Sequence, residues 1–197
     1  MRKRLTLISA VVLLTSCSPR DVLSRRLAAD LIQLSDTFRS QQSLRVQTGI
    51  VSSKDYLAPE TLVLQHHGWI SAATTACPAG LAPPPCWDIL LTPSGVETVR
   101  TLISEQEATK PTFAIPVARR EMVAITGVSK QGSVAQVEFT WKWIPLNEIG
   151  AALYSSDQRY RSTVGFRDYD DGWRIIESGP SSNLPLEEAL RTAELAE

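Results

Sequence analysis

Between residues 133 and 145 the segment SVAQVEFTWKWIP alternates strictly. Ala135, Val137, Phe139, Trp141 and Trp143 fall on one side of an extended chain, and Gln136, Glu138, Thr140 and Lys142 on the other. That period of two predicts a half-buried antiparallel strand, stopped by Pro145. Similar texture fills the chain from Lys110 onward. TFAIPVARREMVAITGVSKQG (112–132) predicts one or two strands, with Lys130-Gln131-Gly132 as a turn. RYRSTVGFRDY (159–169) and GWRIIES (172–178) predict a hairpin about Asp170-Asp171-Gly172. Short helices are expected over 146–154 and 184–195.

Before Lys110 the period is helical. Leu23, Leu27, Leu31, Leu34 and Phe38, widened by Ala28 and Ile32, predict one amphipathic helix over 20–42. Its apolar stripe suits either the core or a membrane or partner surface. LRVQTGIV (44–51) predicts a short strand or extended link. A second helix is expected to start at Pro59 and run to His66 and His67, with Gly68 closing it. GWISAA (68–73) and WDILLT (87–92) predict two hairpin arms, and PSGVETVRTLISEQE (93–107) a further helix.

The order of these pieces, above all Leu62 to Ile70 and Trp87 to Ile103 with the Leu91-Thr92-Pro93-x-Gly95 turn, resembles the winged helix-turn-helix fold. The helix in the recognition position, APETLVLQHHG, has no Lys or Arg, which neutralising DNA phosphates requires. The resemblance therefore implies an interaction or spacer module and no nucleic acid partner. The C-terminal strands loosely resemble cystatin-like and NTF2-like α+β domains, which implies a curved sheet. The expected fold class is α+β: a helical, winged-helix-like module over 17–108, then a curved antiparallel sheet module over 109–197.

The first residues read as a targeting segment. Arg2, Lys3 and Arg4 precede a largely apolar run from Leu5 to Leu14, too short to span a bilayer. Leu14-Thr15-Ser16-Cys17 resembles the bacterial lipobox. That resemblance implies cleavage of a signal peptide, residues 1–16, and diacylglycerol on the Cys17 thiol. It also implies a mature protein held in the envelope by its acyl chains, since each buried methylene contributes about 0.8 kcal/mol. Ser18, where inner-membrane retention typically uses Asp, favours the outer membrane, with the body facing the periplasm.

Composition changes the picture in three places. The whole chain carries 20 basic and 21 acidic residues; losing the leader removes three basic charges and leaves a net charge of −4. With Cys17 lipidated, Cys77 and Cys86 form an even pair in an oxidising compartment, flanking a proline-rich loop, and are expected as a disulfide. His66 and His67 are adjacent, and neither CxxC nor HxxxH spacing occurs, so no metal site is expected.

The remaining chemistry is sparse. Asp168, Asp170 and Asp171 fail the EF-hand pattern, because Gly179 stands where a bidentate Glu is required. The sequence has no P-loop, GxGxxG, HExxH or nucleophile-elbow motif. The chain is thus expected not to be an enzyme and to need no cofactor. Trp141, Trp143 and Trp173 are either core or the floor of an aromatic groove, rimmed by Arg161, Arg167, Arg174 and Tyr169. The expected function is a binding or assembly role of a membrane-anchored envelope lipoprotein, with an envelope protein as partner. The competing expectation is a ligand-binding or hydrolase-like pocket in the C-terminal sheet.

Overall fold

The computed structural model describes residues 22–81, 83–177 and 184–196. The expected leader and Cys17 lie outside the described residues, as does Ser178 at the end of the expected second hairpin arm. Helix α1 (Arg25–Leu34) starts at Ser24, whose hydroxyl accepts the Leu27 N–H at 3.1 Å. The single helix expected over 20–42 is broken at Ser35, which is extended and caps α2 (Asp36–Arg39) by accepting the Phe38 N–H. Serine competes for backbone hydrogen bonds in this way and so ends one helix and begins another. The break turns Leu34 out to solvent while Ala28, Ile32 and Phe38 stay buried.

Strand β1 (Gln42–Gln47) follows directly, taking Gln42, the last residue of the expected helix. At Gly49, with φ of +83°, the chain turns into β2 (Gly49–Ser52). LRVQTGIV is therefore two strands belonging to two different sheets. Next come α3 (Ser53–Tyr56), α4 (Pro59–His66), β3 (Ile70–Thr75) and β4 (Cys86–Leu91). The helix expected over 93–107 is α5 (Pro93–Leu102) and α6 (Glu105–Ala108), divided where Ser104 caps the second. Strands β2, β4 and β3 form a small antiparallel sheet in that order.

The remaining elements are β5 (Thr112–Gln131), β6 (Val134–Pro145), α7 (Glu148–Leu153), β7 (Arg159–Tyr169), β8 (Gly172–Ile175), α8 (Leu186–Arg191) and β9 (Glu194–Leu195). The long sheet runs β1-β5-β6-β7-β8, with β9 pairing β7. The helix expected to reach residue 195 stops at Arg191, and its tail pairs Leu195 with Tyr160. Both sheets are antiparallel, and with the helices they make an α+β fold. Among the described residues, no helix is long and apolar enough to cross a membrane.

Residues 112–131 are one strand whose alternation is interrupted three times. Extra residues fall at Val117, opposite the Gln42–Ser43 step, at Val123 and at Thr126. Each such bulge reverses the phase. Phe113, Ile115, Ala118, Arg120, Met122, Ile125 and Val128 consequently share one face despite their irregular spacing. Bulges also bend a strand, which curves this sheet.

Two cores lie along that face. Around β6 and β7, α1, α2 and α8 cover Phe139, Trp141, Val164 and Phe166. Around β1, Leu44, Val46, Phe113 and Ile115 meet the small sheet, α4, α5 and α7. Two glycines allow close contact in the second core. A Cβ on Gly150 would lie 1.9 Å from the Val117 carbonyl oxygen, and one on Gly95 would lie 1.9 Å from that of Trp69.

Candidate functional site

The aromatic side chains on β6 belong to the core. Trp141, Trp143 and Trp173 are at most 9% exposed, and the face they share is filled by helices. Trp141 Nε1 donates to Ser162 Oγ at 3.0 Å, and that hydroxyl donates to the Ala189 carbonyl at 2.8 Å. Tyr160 stacks on Trp141, and Trp143 meets Tyr154 at 5.2 Å between ring centroids. Arg120, predicted only as part of a strand, lies over both Trp141 and Trp143. Its guanidinium donates to the Thr37 and Ser40 carbonyls at 3.1 and 3.2 Å, closing the C-terminal end of α2. Burial lowers its pKa, an effect that Tyr154 opposes.

The expected rim residues stand elsewhere. Arg167 and Arg174 are cross-strand partners on the outer face of the β7–β8 hairpin, both exposed. Arg174 pairs with Asp171 and lies over the Tyr169 ring. Arg161 bridges Glu138 and Glu194 on the outer face. The structure thus groups Tyr169, Arg167 and Arg174 at a hairpin end and separates them from the tryptophans by the thickness of the sheet.

The cysteine pair is in place. Cys77 and Cys86 form a disulfide with Cα atoms 5.1 Å apart, tying the loop after β3 to the start of β4. His67 stacks on Trp69, and His66 meets His67 edge-on. Among the described residues, no group of three or more His, Cys, Asp or Glu side chains is placed to hold a metal ion.

An open groove of about 340 Å³ lies between β1 and α4. All six residues of β1 line it, from both faces of the strand, so the opening follows the strand's edge. Leu44, Val46, Val51, Ile70 and Ile89 supply an apolar floor, and Tyr154 adds an aromatic side chain. Asp55, Ala58, Glu60, Thr61 and Leu64 form the opposite wall. Asp55 accepts the Ser52 hydroxyl at 2.6 Å, which fixes one carboxylate at the rim. Burial first, then the Glu60 carboxylate and the neighbouring Tyr160, raise the Tyr154 pKa above its ordinary value, with Arg120 opposing.

None of the groove residues was singled out by sequence reasoning. They come from β1, β2, α3, α4, β3, β4 and the end of α7, and only the apolar alternation of Leu44 and Val46 in LRVQTGIV carried a signal. No family model matches the chain, and neither the curated proteins nor the solved structures contain a match.

Proposed function

We propose that this chain is a lipid-anchored protein of the bacterial envelope, attached through Cys17, whose folded body binds a partner in the groove between β1 and α4. The observation that carries the binding reading is the groove itself: an apolar floor from the second core, an acidic wall and a strand edge, with Tyr154, which packs against both cores, at its side. The lipobox-like Leu14-Thr15-Ser16-Cys17 supports the anchor, and Ser18 supports an outer-membrane address facing the periplasm.

The path of the chain gives this reading a geometry. Arg25 donates to the Thr126 carbonyl, Gln33 reaches Met122, Arg120 reaches Thr37 and Ser40, and β1 pairs back along β5 to Thr112. Residues 25–47 thus run beside β5 in the opposite direction. Arg25, at the start of α1, stands near Thr126 and the groove near Phe113, separated by roughly 40 Å of strand at about 3.3 Å per residue. On this reading the curved sheet acts as a spacer holding the groove away from the bilayer.

Two measurements test the proposal. Cys17→Ser should leave an uncleaved precursor without palmitate label, and normal processing would overturn the anchor. A photo-crosslinking side chain at Ser43 should give a discrete adduct in living cells that Thr61→Trp, which fills the groove, abolishes. An adduct indifferent to Thr61→Trp would overturn the groove as the binding site.

A further inference from the structure

This inference rests on the groove being a binding site and names what it binds. β1 stands at the end of the long sheet, and among the described residues no strand pairs with its second edge. Six residues present a row of backbone donors and acceptors there, about 20 Å long at the usual rise. Edges of this kind are commonly blunted by proline, lysine or a central bulge. QSLRVQ has no proline or lysine, its one charged side chain is Arg45, and the bulge opposite it falls at its first step. The groove runs along the same six residues.

The charge of the groove narrows the occupant. Its wall carries Asp55 and Glu60, and α4 contains no Lys or Arg. Arg45 also lines the opening, but it shares the outward face of β1 with Ser43 and Gln47, opposite Leu44 and Val46. We infer that the groove takes an extended, cationic peptide segment, which adds to the free edge of β1 as a further strand of the long sheet. Backbone hydrogen bonds to β1 hold it, and its alternate apolar side chains rest on the face of Leu44 and Val46. The intervening Lys or Arg side chains start on the outward face beside Ser43, Arg45 and Gln47 and reach across the open edge to the exposed carboxylates of Asp55 and Glu60.

The probe is a capped synthetic heptapeptide alternating valine with lysine or threonine, added to the full mature protein in detergent. Binding should slow amide hydrogen exchange of residues 42–47. A version with glutamate for lysine should bind about tenfold more weakly or worse. A version N-methylated at alternate amides should neither bind nor protect. Glu60→Lys, on an exposed helical position, should reverse the preference between the lysine and glutamate peptides.

No protection of residues 42–47 by the lysine peptide would overturn the inference. So would equal binding of the N-methylated peptide, or an unchanged charge preference in Glu60→Lys. A dimer in sedimentation with β1 already protected would overturn it in favour of a second copy of the chain. Nile red, a neutral apolar dye, separates the two levels of the argument. Dye binding lost in Thr61→Trp without peptide binding leaves the groove as a site and sinks the peptide. Failure of both removes the groove.

Discussion

Around β6 and β7 the long sheet is closed by α1, α2 and α8, and Phe139, Trp141 and Phe166 are at most 2% exposed. Around β1 the same face meets a second sheet and three helices, yet an opening of about 340 Å³ remains. The first region is sealed by large side chains filling volume: Phe139, Trp141, Phe166 and Trp143. The second is held by backbone approaching backbone, at Gly150 against Val117 and at Gly95 against Trp69. Close backbone contact fixes the distance between elements without filling the space beside them, which is how a groove persists next to a packed core.

The contrast is sharpest where β5 passes through both regions. Phe139→Ala, in the filled core, should cost about 3–5 kcal/mol in urea unfolding. Because β5 contributes to both cores, one cooperative transition is expected from probes at Trp141 and at the disulfide-linked hairpin. Two separate transitions would divide the molecule into independent units and end the comparison as drawn. Gly150→Ala comes next, at about 2–3 kcal/mol, since the added methyl must displace the Val117 carbonyl. It should also lower occupancy of the groove, because α7 leads into Tyr154. A neutral result would mean that α7 can move away without loss.

Replacing Cys77 and Cys86 by Ser should cost about 2–3 kcal/mol for so short a loop in the chain-entropy account. The accompanying rise in hydrogen exchange should concentrate in β3 and β4 and leave β6 and β7 protected. Ser35→Ala should cost about 1 kcal/mol. Its hydroxyl caps α2 and also donates to the Ile32 carbonyl at 2.8 Å, so the loss should appear as fraying of α2. An unchanged midpoint would show that Phe38 packing alone holds the break.

The two regions also differed in how legible they were before the fold was known. SVAQVEFTWKWIP predicted its own burial correctly, because β6 itself carries no extra residue and pairs with β7 in unbroken register. TFAIPVARREMVAITGVSKQG did not give a single core face, since three bulges slip the phase and only the register against β1 and β6 restores it. Ser35 was overlooked because Leu34 and Phe38 fit a helical stripe whether or not the helix continues. The hairpin and its disulfide were visible in the proline-rich loop between Cys77 and Cys86. The groove was not, because Leu44, Glu60, Ile70, Ile89 and Tyr154 meet only after the chain has changed sheets at Gly49. Arg167, Arg174 and Tyr169 were read as the rim of a groove over Trp141 and Trp143; they stand at the end of the β7–β8 hairpin on the other face of the sheet.

The smallest effect separates the regions by charge. Tyr160, partly buried against the filled core, has a pKa raised by burial. Tyr154, where the two cores meet, is raised by burial and additionally by Glu60 and Tyr160. A tyrosine whose folded pKa lies above its unfolded value of about 10 binds its proton more tightly in the folded state. The folded state is therefore unaffected by these groups below about pH 10 and loses stability as pH rises through the folded pKa. Tyr154→Phe should blunt that alkaline loss. Glu60→Gln should bring the Tyr154 tyrosinate absorbance in at lower pH while leaving Tyr160 where it was, because only Tyr154 feels the acidic wall. Equal movement of both tyrosines, or of neither, would mean that the Glu60 charge does not reach into the groove, and the electrostatic difference between the two regions would disappear.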